Sequence, residues 1–182
     1  MLDQMFAQLY PLGQRIRHLA AGGFLFRRDD LVRSLFVVED GEVHLVRFQA
    51  DGSQLVLQRA IAHHVVAEAS VFSAVYHCDA VAVVPSRIME IERSRFRAEL
   101  LANEQLAEAW NHYLAREVQA TRLRAEILSL KTVASRLDAW LSLHSGQLSE
   151  KGEWKILATQ IGVTPEALYR EIAKRSKAPT LR

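Results

Sequence analysis

The spacing of apolar positions changes character twice along the chain, and the changes divide it into three parts. Residues 2–19 read as a short helix interrupted at Pro11. Then come short β-favouring runs: Leu25-Phe26, Leu35-Phe36-Val37-Val38, Val43 with Leu45-Val46, Leu55-Val56-Leu57, Val65-Val66, Val81-Ala82-Val83-Val84 and Ile88-Met89-Glu90-Ile91. Gly22-Gly23, Asp29-Asp30, Glu39-Asp40-Gly41, Asp51-Gly52 and Pro85-Ser86 separate them as turns. Strands recurring roughly every 8–12 residues predict a β-sandwich or barrel. Residues 93–101 return to a helical pattern.

Residues 103–131 contain neither glycine nor proline, and this stretch is much longer than a mean helix of about 11–12 residues. Leu106, Ala109, Tyr113, Arg116, Ala120, Leu123, Ile127 and Leu130 follow a three-four spacing, apolar except at Arg116, as one seam of a two-helix coiled coil requires. Trp110, Leu114 and Val118 form a second stripe. Two stripes suit a helix that packs on the β domain along one and on a second copy along the other. Burial of both within one subunit is the alternative. Residues 133–144 are helical again, with Ser145-Gly146 as a break.

The sequence from Leu157 to Ile172 then reads helix, glycine turn, helix. Ala158 precedes Gly162 by four positions, so a small side chain faces the crossing helix while glycine takes a left-handed turn. Thr164 suits an N-cap, Pro165 the first helical position and Glu166 the positive end of the helix dipole. Leu168 and Ile172 point inward with Ile161 and Val163, whereas Glu166, Arg170 and Lys174 share the outward face. These residues fit a DNA-reading helix-turn-helix or an ordinary α-hairpin whose glycine is only a cap.

Composition narrows the choice. The chain has 182 residues, 49% hydrophobic and 24% charged, enough apolar content to bury a core in one large or two small domains. The formal net charge is +2, so basicity is not global. From position 147 onward, however, seven basic residues face four acidic ones, and the excess falls on the glycine-turn segment. One cysteine, Cys78, excludes an intrachain disulfide framework and a four-cysteine iron–sulfur cluster. The first residues lack a basic start and a continuous apolar core, and no apolar run reaches about 18 residues, so neither a secretory leader nor a membrane span is expected. A cytoplasmic location is expected.

With these parts in this order, the chain resembles the Crp/Fnr family of bacterial transcription regulators. The residues that carry the likeness are Leu19-Ala20-Ala21-Gly22 with Leu25-Phe26, Leu35 to Val43, Asp51-Gly52 with Leu55-Val56-Leu57, Glu68 with Phe72, and Leu157 to Ile172. The resemblance implies an α+β chain: an N-terminal double-stranded β-roll of the cyclic-nucleotide-binding jelly-roll type over residues 1–102, a dimerisation helix over 103–131 and a helix-turn-helix domain over 132–182. It implies a homodimer that binds palindromic double-stranded DNA, with half-sites about 34–36 Å apart. RNA polymerase is a further partner the likeness suggests; a membrane is not.

By the same resemblance, Pro165, Glu166 and Arg170 stand where family members present residues to base edges. Arg170 suits guanine O6 and N7, and Glu166 suits cytosine N4 or the orientation of Arg170. Pro165 departs from a basic side chain there. Thr164, Lys155 and Lys174 are candidate phosphate contacts, with solubilising surface residues as the alternative. Family members usually continue into a β-hairpin wing, which has no counterpart in Lys177 to Arg182, and weaker backbone contact is expected from that.

The sensor half departs further. Cyclic-nucleotide binders of the family cradle the phosphate with a glycine-glutamate pair and with an arginine followed by a hydroxyl residue. Here Glu68 follows Ala67, and Cys78 and Asp79 occupy the arginine and hydroxyl positions. Loss of the arginine removes a charge-assisted pair and Asp79 would repel a phosphate, so neither cyclic AMP nor cyclic GMP is expected as effector. His63-His64 and the run Tyr76-His77-Cys78-Asp79 offer haem or metal donors, but neighbours in a strand point to opposite faces, so no metal or other cofactor is expected. Cys78 suits a small buried hydrophobe better than a redox sensor. No P-loop, dinucleotide glycine motif or Ser/His/Asp order points to an enzyme. The leading expectation is a homodimeric DNA-binding regulator outside cyclic AMP control. The competing one is a dimeric ligand- or protein-binding module with a vestigial helix-turn-helix.

Overall fold

The structure, a computed structural model, describes residues 2–50, 54–144, 148 and 151–177. The expected turn at Asp51-Gly52, the break at Ser145-Gly146 and the residues after Lys177, on which the expectation about a wing falls, lie outside the described residues. The chain forms two compact units, Met1–Leu114 and Ala115–Arg182.

The first unit opens with helix α1 (Leu2–Leu9) and a single 3-10 turn (Tyr10–Leu12). Eight strands follow: β1 (Gly13–Leu19), β2 (Phe24–Phe26), β3 (Ser34–Asp40), β4 (Glu42–Phe48), β5 (Gln54–Ile61), β6 (Val65–Val66), β7 (Asp79–Ala82) and β8 (Ser86–Glu92). They pair antiparallel in two four-stranded sheets, ordered β1-β8-β3-β6 and β2-β7-β4-β5. The helix expected across residues 2–19 is corrected here: from Gly13 onward the chain is an edge strand paired with β8, from Gly13 opposite Ile91 to Leu19 opposite Ser86, with a register shift between Gly13 and Arg15. Its polar run Gln14-Arg15, Arg17-His18 carries no apolar alternation, and pairing with β8 decides the conformation.

Strand β3 is buried on both faces, which explains its unbroken apolar run. Phe36 and Val38 face the gap between the sheets with Leu25, Phe26, Val43, Leu45, Tyr76, Cys78 and Ile88. Leu35 and Val37 face the other way and meet Met5, Phe6, Leu9, Met89, Ile91, Phe96, Leu106, Trp110 and Tyr113. The last four come from helix α2 (Arg93–Ala102) and the start of the long helix α3 (Glu104–Ser129), which cover that sheet. The Trp110 ring stands edge-on to Phe96 with centroids 4.7 Å apart, and the Val65 amide donates to the Tyr113 hydroxyl at 3.2 Å.

The expected long seam on α3 is corrected. Leu106, Trp110 and Tyr113, drawn from both expected stripes, form one face at i, i+4 and i+7 that is consumed by the β-roll core. Ile127 is buried instead in the second unit. The middle of α3 leaves Arg116, Val118, Ala120, Thr121 and Ala125 exposed, Val118 at 47%.

The second unit holds the C-terminal half of α3, then α4 (Val133–Leu143), α5 (Trp154–Gln160) and α6 (Pro165–Lys177). Thr132 starts α4 with a capping box: Ser135 N donates to Thr132 Oγ1 at 3.0 Å, and Thr132 N donates to Ser135 Oγ at 3.3 Å. Ile127, Leu137, Trp140, Leu157, Ala158, Ile161 and Leu168 make the core. Among the described residues no helix is long and apolar enough to cross a membrane.

Candidate nucleic-acid interface and sensor site

The link between α5 and α6 is a closed helix ending. Gly162 takes φ +65°, its amide donates to the Thr159 carbonyl at 3.3 Å, and the Val163 amide donates to the Ala158 carbonyl at 2.9 Å. This pair of bonds is the Schellman arrangement, which satisfies the last carbonyls of α5 and turns the chain sharply. Ala158 is fully buried, as a close helix crossing requires, and Leu168 seals the crossing from the α6 side. Thr164 then caps α6, its hydroxyl accepting from the Ala167 amide at 3.2 Å. That bond occupies one acceptor of the hydroxyl first read as a candidate phosphate contact.

On α6, Glu166, Arg170 and Lys174 are exposed along one stripe, and among the described residues none makes a side-chain hydrogen bond or ion pair. Glu166 therefore does not hold Arg170 in place here. Pro165 is half-buried at the first helical position, and Lys155 is exposed on α5. Arg175, part of the basic excess in the sequence, is spent internally: it reaches Asp138 at 2.6 Å, Glu171 at 2.8 Å and the Ala134 carbonyl at 3.0 Å, tying α6 to α4. Burial opposes its charge, but the two carboxylates prevail and raise its pKa further.

Two residues of this unit escape a reading of the sequence. Tyr169, 37% exposed next to Arg170, stands 5.7 Å from Trp154 between ring centroids and adds an aromatic surface to the outward side of α6. Arg136 on α4 donates to four backbone carbonyls, those of Leu128, Leu130, Ile161 and Gly162. Only the position of Tyr169 within α6 was visible as a signal; nothing in the sequence points from Arg136 to the turn.

In the first unit the residues expected at the effector site do come together. Ala67 precedes a 3-10 turn (Glu68–Ser70) and holds φ +75°, a left-handed backbone where the family resemblance places glycine. Cys78 is 1% exposed, and burial, then the Glu68 carboxylate, pushes its thiol up to about 11 against the opposing charge of Arg47. Asp79 accepts from the Arg28 amide at 3.1 Å. Arg47 donates to the His77 carbonyl at 3.0 Å, and Ser70 Oγ lies 3.0 Å from His77 Nδ1, whose pKa burial lowers. His63 and His64 lie in the turn between β5 and β6 rather than in a strand, with His63 against Phe6 at 5.4 Å between centroids. Among the described residues no three His, Cys, Asp or Glu side chains are grouped to hold a metal ion.

The first unit is thus a β-roll with helices against one sheet, and the second joins the end of a long helix to two helices linked by a glycine turn. Residues 16–103 match the family described as the cyclic nucleotide-binding domain. Solved structures share the fold over about three quarters of the chain or more. The c-di-GMP responsive global regulator CLP of Xanthomonas campestris is 18% identical, with 96% of this chain and 91% of that one covered at a TM-score of 0.69. FixK2 from Bradyrhizobium japonicum is 16% identical over 89% of this chain and 84% of its own, with a TM-score of 0.71. The sensor domain of the transcriptional regulator DNR from Pseudomonas aeruginosa, 24% identical, covers 73% of this chain and 99% of its own at a TM-score of 0.53. No curated protein sequence matches the chain.

Proposed function

We propose that this chain is a DNA-binding transcription regulator of the Crp/Fnr type that acts as a homodimer and is not switched by cyclic AMP. The observation that carries the reading is the Schellman-closed turn at Gly162 followed by a capped helix whose exposed stripe, Glu166, Arg170 and Lys174, has no partner among the described residues. Buried apolar residues fix the other side of that helix, so the free side chains are held on a rigid support. Arg170 reads a base edge, Glu166 and Tyr169 refine the choice, and Lys174 and Lys155 contact phosphates.

The dimer forms along the exposed face of α3. Val118, Thr121 and Ala125 follow heptad spacing there, and their small or branched side chains let a second helix approach closely. At the effector site a cyclic phosphate would meet a neutral buried thiol, Cys78, and the Asp79 carboxylate where binders present an arginine and a hydroxyl residue. Desolvating a phosphate against that set is unfavourable, so another signal, or none, sets activity.

The test is selection of genomic DNA fragments by the purified protein. A recurring palindromic motif supports the reading, and fragments without a shared motif overturn it.

A further inference from the structure

The side chain of Arg136 spans the end of one helix and the turn beyond another. Its Nε donates to the Leu130 carbonyl at 2.8 Å and its Nη2 to the Leu128 carbonyl at 3.0 Å, both at the C-terminal end of α3. Its Nη1 donates to the Gly162 carbonyl at 2.8 Å and to the Ile161 carbonyl at 3.2 Å, just past the end of α5. Carbonyls at a helix end lack intrahelical donors and carry the negative end of the helix dipole. One cation with a planar fork thus answers two helix ends at once, a task for which the three tetrahedral donors of lysine are poorly shaped. The Leu128 side chain also lies over Gly162, so packing and hydrogen bonds join the same two segments. Pro165, the first residue of α6, follows Gly162 by three positions, and the turn therefore sets where Arg170 points.

We propose that Arg136 is a positioning residue for base reading: it locks the helix-turn-helix to the end of α3, and so fixes the angle at which α6 is presented to DNA. This rests on the function proposed above. Arg136 touches no DNA in this account; it acts through the turn. Base contacts demand close registry, whereas phosphate contacts tolerate a tilted helix, so loosening the clamp separates the two. Loss of the clamp lowers affinity for the selected palindrome, leaves affinity for scrambled DNA nearly unchanged, and flattens the preference for one half-site spacing.

The variant to measure is Arg136→Lys, with binding to the selected palindrome, to a scrambled duplex and to palindromes with one base pair inserted or removed. The expected result is a loss of about tenfold or more on the palindrome and a change within about threefold on scrambled DNA, with an unchanged salt slope and a broadened spacing profile. Equal losses on both duplexes, or no loss on either, overturn the proposal. A second measurement uses the wild-type chain and does not depend on the variant folding. The Arg136 Nε proton should exchange with water far more slowly than that of Arg170 in the nuclear magnetic resonance spectrum; equal rates overturn the clamp. If the wild-type protein selects no palindrome while the Arg136 proton is protected, the clamp stands and the regulatory function proposed above fails.

Discussion

Leu128 lies directly across Gly162, so that a β-carbon added to the glycine would collide with the leucine side chain. The glycine is also the left-handed residue of the turn, at φ +65°. Two independent demands therefore meet at one position. Gly162→Ala is expected to destabilise the second unit by about 2–4 kcal/mol, from the left-handed backbone and the forced repacking together. Denaturant unfolding followed by circular dichroism measures this, and DNA binding should fall with it. A change below about 0.5 kcal/mol would mean the turn tolerates a side chain.

Arg170 and Lys174 lie on the same exposed stripe but should fail differently. Arg170→Ala is expected to cost about 1–3 kcal/mol on the selected site and relax the preference at one base position. Lys174→Ala is expected to weaken all duplexes alike and reduce the salt slope by about one. Equilibrium titrations of selected and scrambled duplexes at several salt concentrations separate the two. Equal losses on both duplexes for Arg170→Ala would remove that residue from base reading.

Val118 is 47% exposed in the middle of α3. A charge placed there would be buried unpaired if a second copy covers it. Val118→Lys is expected to convert the dimer to a monomer in analytical ultracentrifugation without loss of helical signal, and to abolish binding to a palindrome. A dimer that survives this change forms elsewhere.

The neutral Cys78 thiol links stability to alkaline pH. Burial and Glu68 move its pKa upward from 9.0 to about 11. Below the unfolded value the contribution is fully present. Between about pH 9 and pH 11 the unfolded chain gives up the proton and the folded chain keeps it, so stability is lost over that window, by roughly 1.4 kcal/mol per pH unit at most. Comparison of unfolding free energies of the wild type and Cys78→Ala across this range should show a steeper fall for the wild type. Parallel curves would place the thiol in contact with water.

Calorimetric titration with cyclic AMP and cyclic GMP is expected to give no binding at micromolar concentration. The buried Cys78 thiol leaves the phosphate without the charge-assisted partner that family binders use, and the Asp79 carboxylate repels it. Micromolar heats with either nucleotide would contradict this.

Much of the architecture was legible because local rules and burial agree. The double-faced burial of β3 is written in the unbroken run Leu35-Phe36-Val37-Val38, and the turn at Gly162 is written in Ala158, Gly162, Thr164 and Pro165. Edge strand β1 is not legible as a strand because its exposed polar residues leave no periodic signal, and only pairing with β8 fixes it. What covers the start of α3 is not legible, because Leu106, Trp110 and Tyr113 obey helical spacing whatever covers them; periodicity reports that a face is buried, not by which partner. The role of Arg136 is not legible because its partners are backbone carbonyls, two of them 25 and 26 positions away, which no side-chain pattern records.

Two copies of α6 reading DNA as a pair would leave a paired footprint. Competition between the selected palindrome and a scrambled duplex of equal length, at fixed salt and with hydroxyl-radical footprinting of the complex, tests it most directly. The expected result is a preference of at least about a thousandfold, with two protected patches one helical turn apart, about 34–36 Å. A ratio near one at every salt concentration, with no paired protection, would contradict it.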